Sequence, residues 1–292
     1  MRDKLSWLAF VLAAVALALV VSGRAPTSDG EKKETAFEHI MRTGTIRCGY
    51  LLSPATLMKD PNTGTMSGVM ADYLQALGDA LHLKVVWQEE MNLATYLQDL
   101  QNGRYDLECS GGWPNALRGK QVEYSTPIYY FPFYGAVRSD DRRFDNNYAA
   151  MNNASVRIAG HDGGTNSLIR ERRFPNSTYV GLANGVPLTN ALLEIMGNKA
   201  DVTFLDYPTF QAFMNSNPGK LRKVDGPPVR LIPTNISFAA GEYRLQQMLN
   251  TATSELLYDG VIDRILDKYE PAPGTFLRVA VPYASSGLEG AR

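Results

Sequence analysis

An excess of charge of either sign is missing from this chain. Its 29 basic and 30 acidic residues leave a formal net charge of −1, so no long-range field draws it to nucleic acid or to an anionic membrane surface. Like charges occur only in short groups such as Arg172-Arg173, and no nucleic-acid partner is expected. Histidine is scarce, with three in 292 residues. No H-E-x-x-H, G-x-S-x-G or P-loop pattern occurs, and Ser125 has no paired base in any such motif. Cysteine is limited to Cys48 and Cys109, which are too few and too far apart for a metal site. The expectation is therefore no cofactor, no metal and no catalytic residue.

What the chain does have begins at its N-terminus. Arg2 and Lys4 precede an uninterrupted apolar run from Leu5 to Val21. A run of about 17 residues is long for the core of a signal peptide and near the lower limit for a membrane span. Residues 1–23 are either a signal peptide cut after Gly23 or an uncleaved transmembrane anchor. Both alternatives put the rest outside the cytoplasm, in a periplasm, free or tethered to the inner membrane. No cysteine follows the run, which excludes a lipoprotein anchor. In an oxidising compartment two cysteines permit one disulfide. The alternative is two small buried apolar side chains.

Residues 24–36 are small and charged, without apolar period, and form a linker. Beyond them the pattern runs strand, helix, strand, helix, strand. The helix after "TGTMSG" places Met70, Tyr73, Leu74, Leu77 and Leu81 on one face. A similar pattern restarts after residue 137. This alternation argues an α/β fold with parallel strands and crossover helices. A long helical stretch broken at Gly260 precedes a proline- and glycine-rich tail, residues 271–292.

Seven words carry a resemblance: "GTIRCGY", "SGVMADYLQALGDAL", "LQNGRYDL", "LRGKQVEYSTPIYY", "GGTNSL", "NKADVTFLDYPT" and "LYDGVIDRILDKY". Their order and spacing over residues 37 to 270 resemble the bacterial extracellular solute-binding proteins of family 3. These are the amino-acid-binding components of ABC importers. The resemblance implies a two-lobed fold of the type II periplasmic-binding kind, each lobe a mostly parallel sheet flanked by helices, with two hinge crossings. Lobe one would be residues 37–135 plus 237–270, and lobe two residues 136–236. It also implies a monomer that closes on a small amino-acid or carboxylate ligand and hands it to a membrane permease.

An amino acid needs a cation or amide donors at one end and a carboxylate at the other. Arg118 lies seven residues before Ser125, where the family places its carboxylate-binding arginine, and a planar guanidinium binds a carboxylate through two parallel hydrogen bonds. Gly164 and Thr165 match the family's glycine-threonine pair. Thr165 is expected to cap the helix that follows, with backbone N–H groups open to an anion. Asp206 ends an apolar strand at the edge where open α/β sheets bind ligands, and it matches the acid for the ligand ammonium. The plain alternatives are a solvated loop arginine and two ordinary helix caps. Gly112, Trp113 and Tyr50 complete the expected ligand set. Here the sequence departs from the family's pattern: Asn115 and Trp113 stand where hydroxyl residues are usual, and Ser53-Pro54 stand where an aromatic shelf is usual. Trp113 takes the shelf role, or else packs on Pro114.

Glu108 is out of place in a strand buried on both faces. Arg47 precedes Cys48 as Glu108 precedes Cys109, so one register would pair Arg47 with Glu108 and bridge Cys48 to Cys109. A ligand role for Glu108 is the alternative. His161, beside the glycine turn, is a further candidate for the cleft. Two other functions remain open: a periplasmic dehydratase of the cyclohexadienyl type on the same fold, with Glu108 or His161 as the acid, and a membrane-anchored sensory or accessory module.

Overall fold

Strand β1 (Thr45–Tyr50) opens the first sheet, after a helix over Ala36–Thr43. The structure is a computed structural model that describes residues 33–183 and 186–280. The apolar run Leu5–Val21, and with it the choice between signal peptide and anchor, lies outside the described residues. Among these, no helix is long and apolar enough to cross a membrane.

A small hairpin, β2 (Met58–Lys59) with β3 (Met66–Ser67), leads into a helix at Val69–Leu81. That helix forms because its apolar residues recur at helical spacing. Met70, Tyr73, Leu74 and Leu77 are fully buried; burying Met70, Leu74 and Leu77 stabilises by about 1.5–3 kcal/mol each relative to exposure. Strand β4 (Lys84–Glu90), a short helix (Tyr96–Gln101) and β5 (Leu107–Gly112) follow. Next come β6 (Val122–Tyr124) and the ten-residue β7 (Tyr129–Arg138). The second α/β run contains β8 (Arg157–His161), a helix at Thr165–Arg173, β9 (Thr178–Leu182), β10 (Thr203–Asp206), a helix at Tyr207–Ser216 and β11 (Leu221–Lys223). The ten-residue β12 (Arg230–Ala239) leads back to helices at Tyr243–Tyr258 and Val261–Tyr269 and to a short β13 (Leu277–Arg278).

The pairing repeats one order twice. β1 lies parallel to β4 and β5, and β12 runs antiparallel to β5 and β6, giving β4-β1-β5-β12-β6. In the other half β8 is parallel to β9 and bridges Val202 through Ile158, while β10 and β11 are antiparallel to β7. That gives β9-β8-β10-β7-β11. The long strands β7 and β12 pair with each other over Tyr129–Thr234 to Phe133–Arg230, so they are the two crossings between the halves. The α/β class and the two crossings expected from the sequence are present, with antiparallel pairing wherever a long strand passes.

After Tyr269 the chain returns to this crossing. Phe276 is fully buried, edge-on to Tyr129 and Phe131, and β13 pairs with β7 at Tyr129–Tyr130. Arg278 holds the segment through Glu270 (2.9 Å) and Asp267.

Cys48 and Cys109 form a disulfide, but the register is not the one expected. Cys48 faces Leu107 and Gly49 faces Glu108. Residues 107 and 109 share a face of β5 because side chains alternate, so the bridge reaches along that face. The same register puts Arg47 beside Asp106, not Glu108. Arg47 Nη2 lies 2.7 Å from Asp106 Oδ1, and the Arg47 backbone N–H donates to Oδ2 at 2.8 Å. The expected Arg47–Glu108 pair is therefore replaced by Arg47–Asp106.

Candidate ligand-binding site

The C-terminal ends of β1, β5, β8 and β10 all open toward one cavity of about 520 Å³, the edge at which open α/β sheets bind ligands. Its size suits a small molecule. Of the residues expected to hold a ligand, Arg118, Thr165, Asp206, Gly164, Gly112 and Trp113 line it. Tyr50 does not. It ends β1 inside the core, 5% exposed, edge-on to Trp87, with its hydroxyl accepting from Lys59 Nζ at 3.2 Å.

Arg118 opens a single 3-10 turn, Arg118–Lys120, after β5. Asn115 sets that turn, because its Oδ1 accepts from the backbone N–H of Leu117 (3.0 Å) and of Arg118 (2.9 Å). A hydroxyl at that place would be shorter by one atom. The guanidinium sits over the Tyr96 ring, 5.6 Å from its centroid, and donates weakly to the Trp113 carbonyl at 3.4 Å. No carboxylate pairs with it among the described residues. Trp113 stands edge-on to Phe131 and Phe133 of β7. Two residues before it, Gly111 is held at φ +92°, where a Cβ would run into Thr234.

Asp206 is 4% exposed. It caps the helix at Tyr207–Ser216, accepting from the Thr209 N–H at 2.9 Å, so the cap and the cavity wall are one residue. Burial pushes its carboxyl up from the ordinary aspartate value, and the Thr209 N–H and hydroxyl only partly oppose that. Gly164, not Thr165, occupies the cap position of the helix at Thr165–Arg173. Thr165 is the first helical residue, so its hydroxyl is not committed to capping. It makes no hydrogen bond among the described residues. Asp201 lies at the other end of β10, away from the cavity, and is structural. It accepts from Arg138 Nη2 (3.0 Å) and Arg157 Nε (3.0 Å), with Arg143 at 3.2 Å.

Glu108 lines the cavity and is 4% exposed. Its Oε1 accepts from the Ser110 N–H (2.8 Å) and hydroxyl (2.7 Å), and its Oε2 from the Ser237 hydroxyl (3.3 Å). Burial pushes its carboxyl up; Ser110, Ser237 and the Gly112 N–H oppose this without cancelling it. Two further cavity groups are Asn166, whose buried Oδ1 has no hydrogen-bond partner among the described residues, and His161, whose Nε2 is in the same state. His161 was a candidate from its place beside the glycine turn. Asn166 carried no signal beyond its adjacency to Thr165.

A family model described as bacterial extracellular solute-binding proteins, family 3, matches residues 46–272. The chain belongs to that family. Solute-binding proteins of this kind work outside the cytoplasm. Among curated relatives, a membrane-bound lytic murein transglycosylase F from Cronobacter sakazakii is 23% identical over 91% of this chain and 50% of its own length. The chain thus spans about half of that relative. A probable histidine-binding protein from Campylobacter jejuni is 21% identical over 90% of this chain and 97% of its own length. Among solved structures, an ancestral amino acid-binding protein, a precursor of cyclohexadienyl dehydratase, superposes with a TM-score of 0.67 at 22% identity, covering 80% of this chain and 99% of that one. A binding component of an ABC transporter from Wolinella succinogenes, complexed with lysine, gives 0.67 at 19% identity over 79% and 97% of the two chains. These likenesses show the fold, two-lobed and of the type II periplasmic-binding kind.

Proposed function

We propose that this solute-binding protein captures a small amino-acid-like or carboxylate ligand by closing two lobes around it, and delivers it to the permease of an ABC importer. The lobes are residues 37–135 plus 237–270 and residues 136–236. One observation carries the assignment. Arg118, from the first half, and Asp206, from the second, line the same cavity, and no described carboxylate neutralises the arginine. Arg118 takes the ligand carboxylate and Asp206 its ammonium. Thr165, the Gly164 turn and Gly112 add short-range donors, and Trp113 gives an apolar wall. The names of the relatives, amino-acid binders among them, support this class of ligand. The residues before the linker export the chain to the periplasm, and it acts there as a monomer and a binder, not an enzyme.

Thermal-shift screening against amino acids and small carboxylates identifies the ligand, and calorimetry of Arg118→Ala tests the site. Losing the cation should cost about 2–5 kcal/mol in affinity with the melting temperature unchanged. Undiminished binding removes Arg118 from the site.

A second assignment, a membrane-tethered sensory or accessory module, is favoured by the Leu5–Val21 run and by the relative in which a matching segment makes up half of a longer membrane-bound enzyme. The intact mass of the mature chain decides: retention of residues 1–23 favours the module.

A further inference from the structure

The cavity holds one more acid than an amino-acid backbone can use. Arg118 and Asp206 match the carboxylate and ammonium that every α-amino acid carries. Glu108 is left over. Apart from these three and His161, the described lining carries no ionisable acid or base other than Tyr96; Leu51, Met91, Leu93, Trp113 and Phe131 give it an apolar character. In its ionised form an acid in such a wall, with hydrogen bonds but no cation beside it, is stabilised by an arriving cation.

The two oxygens of Glu108 have different surroundings. Oε1 is held by two short hydrogen bonds from Ser110, whose hydroxyl in turn accepts from the Leu51 N–H at 2.8 Å. That anchors the carboxyl group. Oε2 has a longer bond, to Ser237 at 3.3 Å. Beside Oε2 stands Gly112, itself a cavity residue, where a Cβ would come within 2.5 Å of this oxygen. Any side chain at 112 would collide with Oε2; glycine lets this oxygen lie against the cavity wall.

We propose that Glu108 is a specificity-determining residue that selects ligands whose side chain carries a cation, a guanidinium, ammonium or imidazolium, presented to Oε2. This rests on the amino-acid assignment of the site given above. The closed complex is then neutral: the ligand's α-carboxylate meets Arg118, its α-ammonium meets Asp206, and its side-chain cation meets Glu108.

Calorimetry on the full chain with two near-isosteric pairs, L-arginine against L-citrulline and L-lysine against L-norleucine, tests this. Wild type should bind the charged member of at least one pair about tenfold or more tightly, the scale of a charge-assisted hydrogen bond. Glu108→Gln should shrink that ratio to within about threefold, weakening the charged ligand while leaving its neutral partner within about threefold of wild type. Neutral members bound as tightly as charged ones by wild type, or a ratio untouched in Glu108→Gln, overturns the proposal. If Glu108→Gln does not fold, Glu108→Asp, which keeps the charge but draws it back, should lower the ratio; an unchanged ratio there also overturns it. Binding that needs Arg118 but ignores side-chain charge sinks Glu108 alone. No binding of any of the four by wild type overturns the side-chain-cation proposal, whereas binding indifferent to Arg118→Ala sinks the amino-acid assignment as well.

Discussion

Asp206→Asn separates what the residue does for the fold from what it does for a ligand. In the fold Asp206 caps a helix through the Thr209 N–H, and asparagine caps equally well, whereas alanine forfeits about 1 kcal/mol. Burial raises the carboxyl's pKa in the folded state. An acid raised this way binds its proton more tightly folded than unfolded. Its contribution to stability is therefore greatest below the unfolded value and falls as pH rises through the folded one. Asparagine has no charge to desolvate. The ligand-free Asn variant should thus melt at or above wild type at neutral pH, while the Ala variant melts below it. Affinity should move the other way. Removing one charge of a buried pair costs about 2–5 kcal/mol, or roughly 30- to 4,000-fold, for ligands bearing an ammonium, with simple carboxylates spared. Scanning calorimetry without ligand and titration calorimetry with it read the two effects separately. A residue that is only a cap predicts unchanged affinity in Asp206→Asn, and that outcome would falsify the assignment.

Three further outcomes follow from the structure. Asp201→Asn should destabilise by about 3 kcal/mol at neutral pH, since a buried acid is taken from arginines that are themselves partly solvated. Burial pushes the Asp201 carboxyl up, but Arg157 and Arg138 outweigh that and hold it well below the usual aspartate range; its stabilisation is present above the unfolded value and lost as pH falls through the folded one. Denaturant melts at neutral and acid pH should show the gap narrowing in acid, and a constant gap would contradict the ion network. Reducing the Cys48–Cys109 bridge opens a loop spanning 61 residues. Chain entropy puts the loss at about 4 kcal/mol; equal midpoints of oxidised and reduced protein in urea would refute it. Gly160→Ala should destabilise by about 1–3 kcal/mol, because a Cβ there collides with Asn166. It should also displace that cavity residue, and wild-type ligand affinity in the variant would argue Asn166 out of the site.

Much of this was legible because strands and helices carry local signatures. The helix ending at Leu81 was readable from its apolar spacing, and the break at Gly260 from glycine, which adopts φ +64° there. The order of words placed Arg118 and Asp206 on one cavity although 88 positions separate them in the chain. Register was harder. Matching Arg47 to Glu108 assumed that residues before two bridged cysteines face each other, yet alternation allows the bridge to run one pair along a face, and Asp106 took the arginine. Tyr50 shows a similar ambiguity: a residue at a strand end can turn outward to the opening or inward, as Tyr50 does to Trp87, and composition does not choose. Threonine favours a cap position, but at this helix the preceding glycine adopts the extended backbone of the cap. The places of Asn166 and Glu108 in the cavity wall depend on contacts made by the folded chain, which local sequence does not encode.

The strand Leu277–Arg278 is sewn to β7 where the two halves cross. Whatever flexes those crossing strands must also tug on this short piece, which lies outside the ligand's chamber. A dye on exposed Ala280 would then register jaw motion from the rear, leaving the capture chemistry undisturbed.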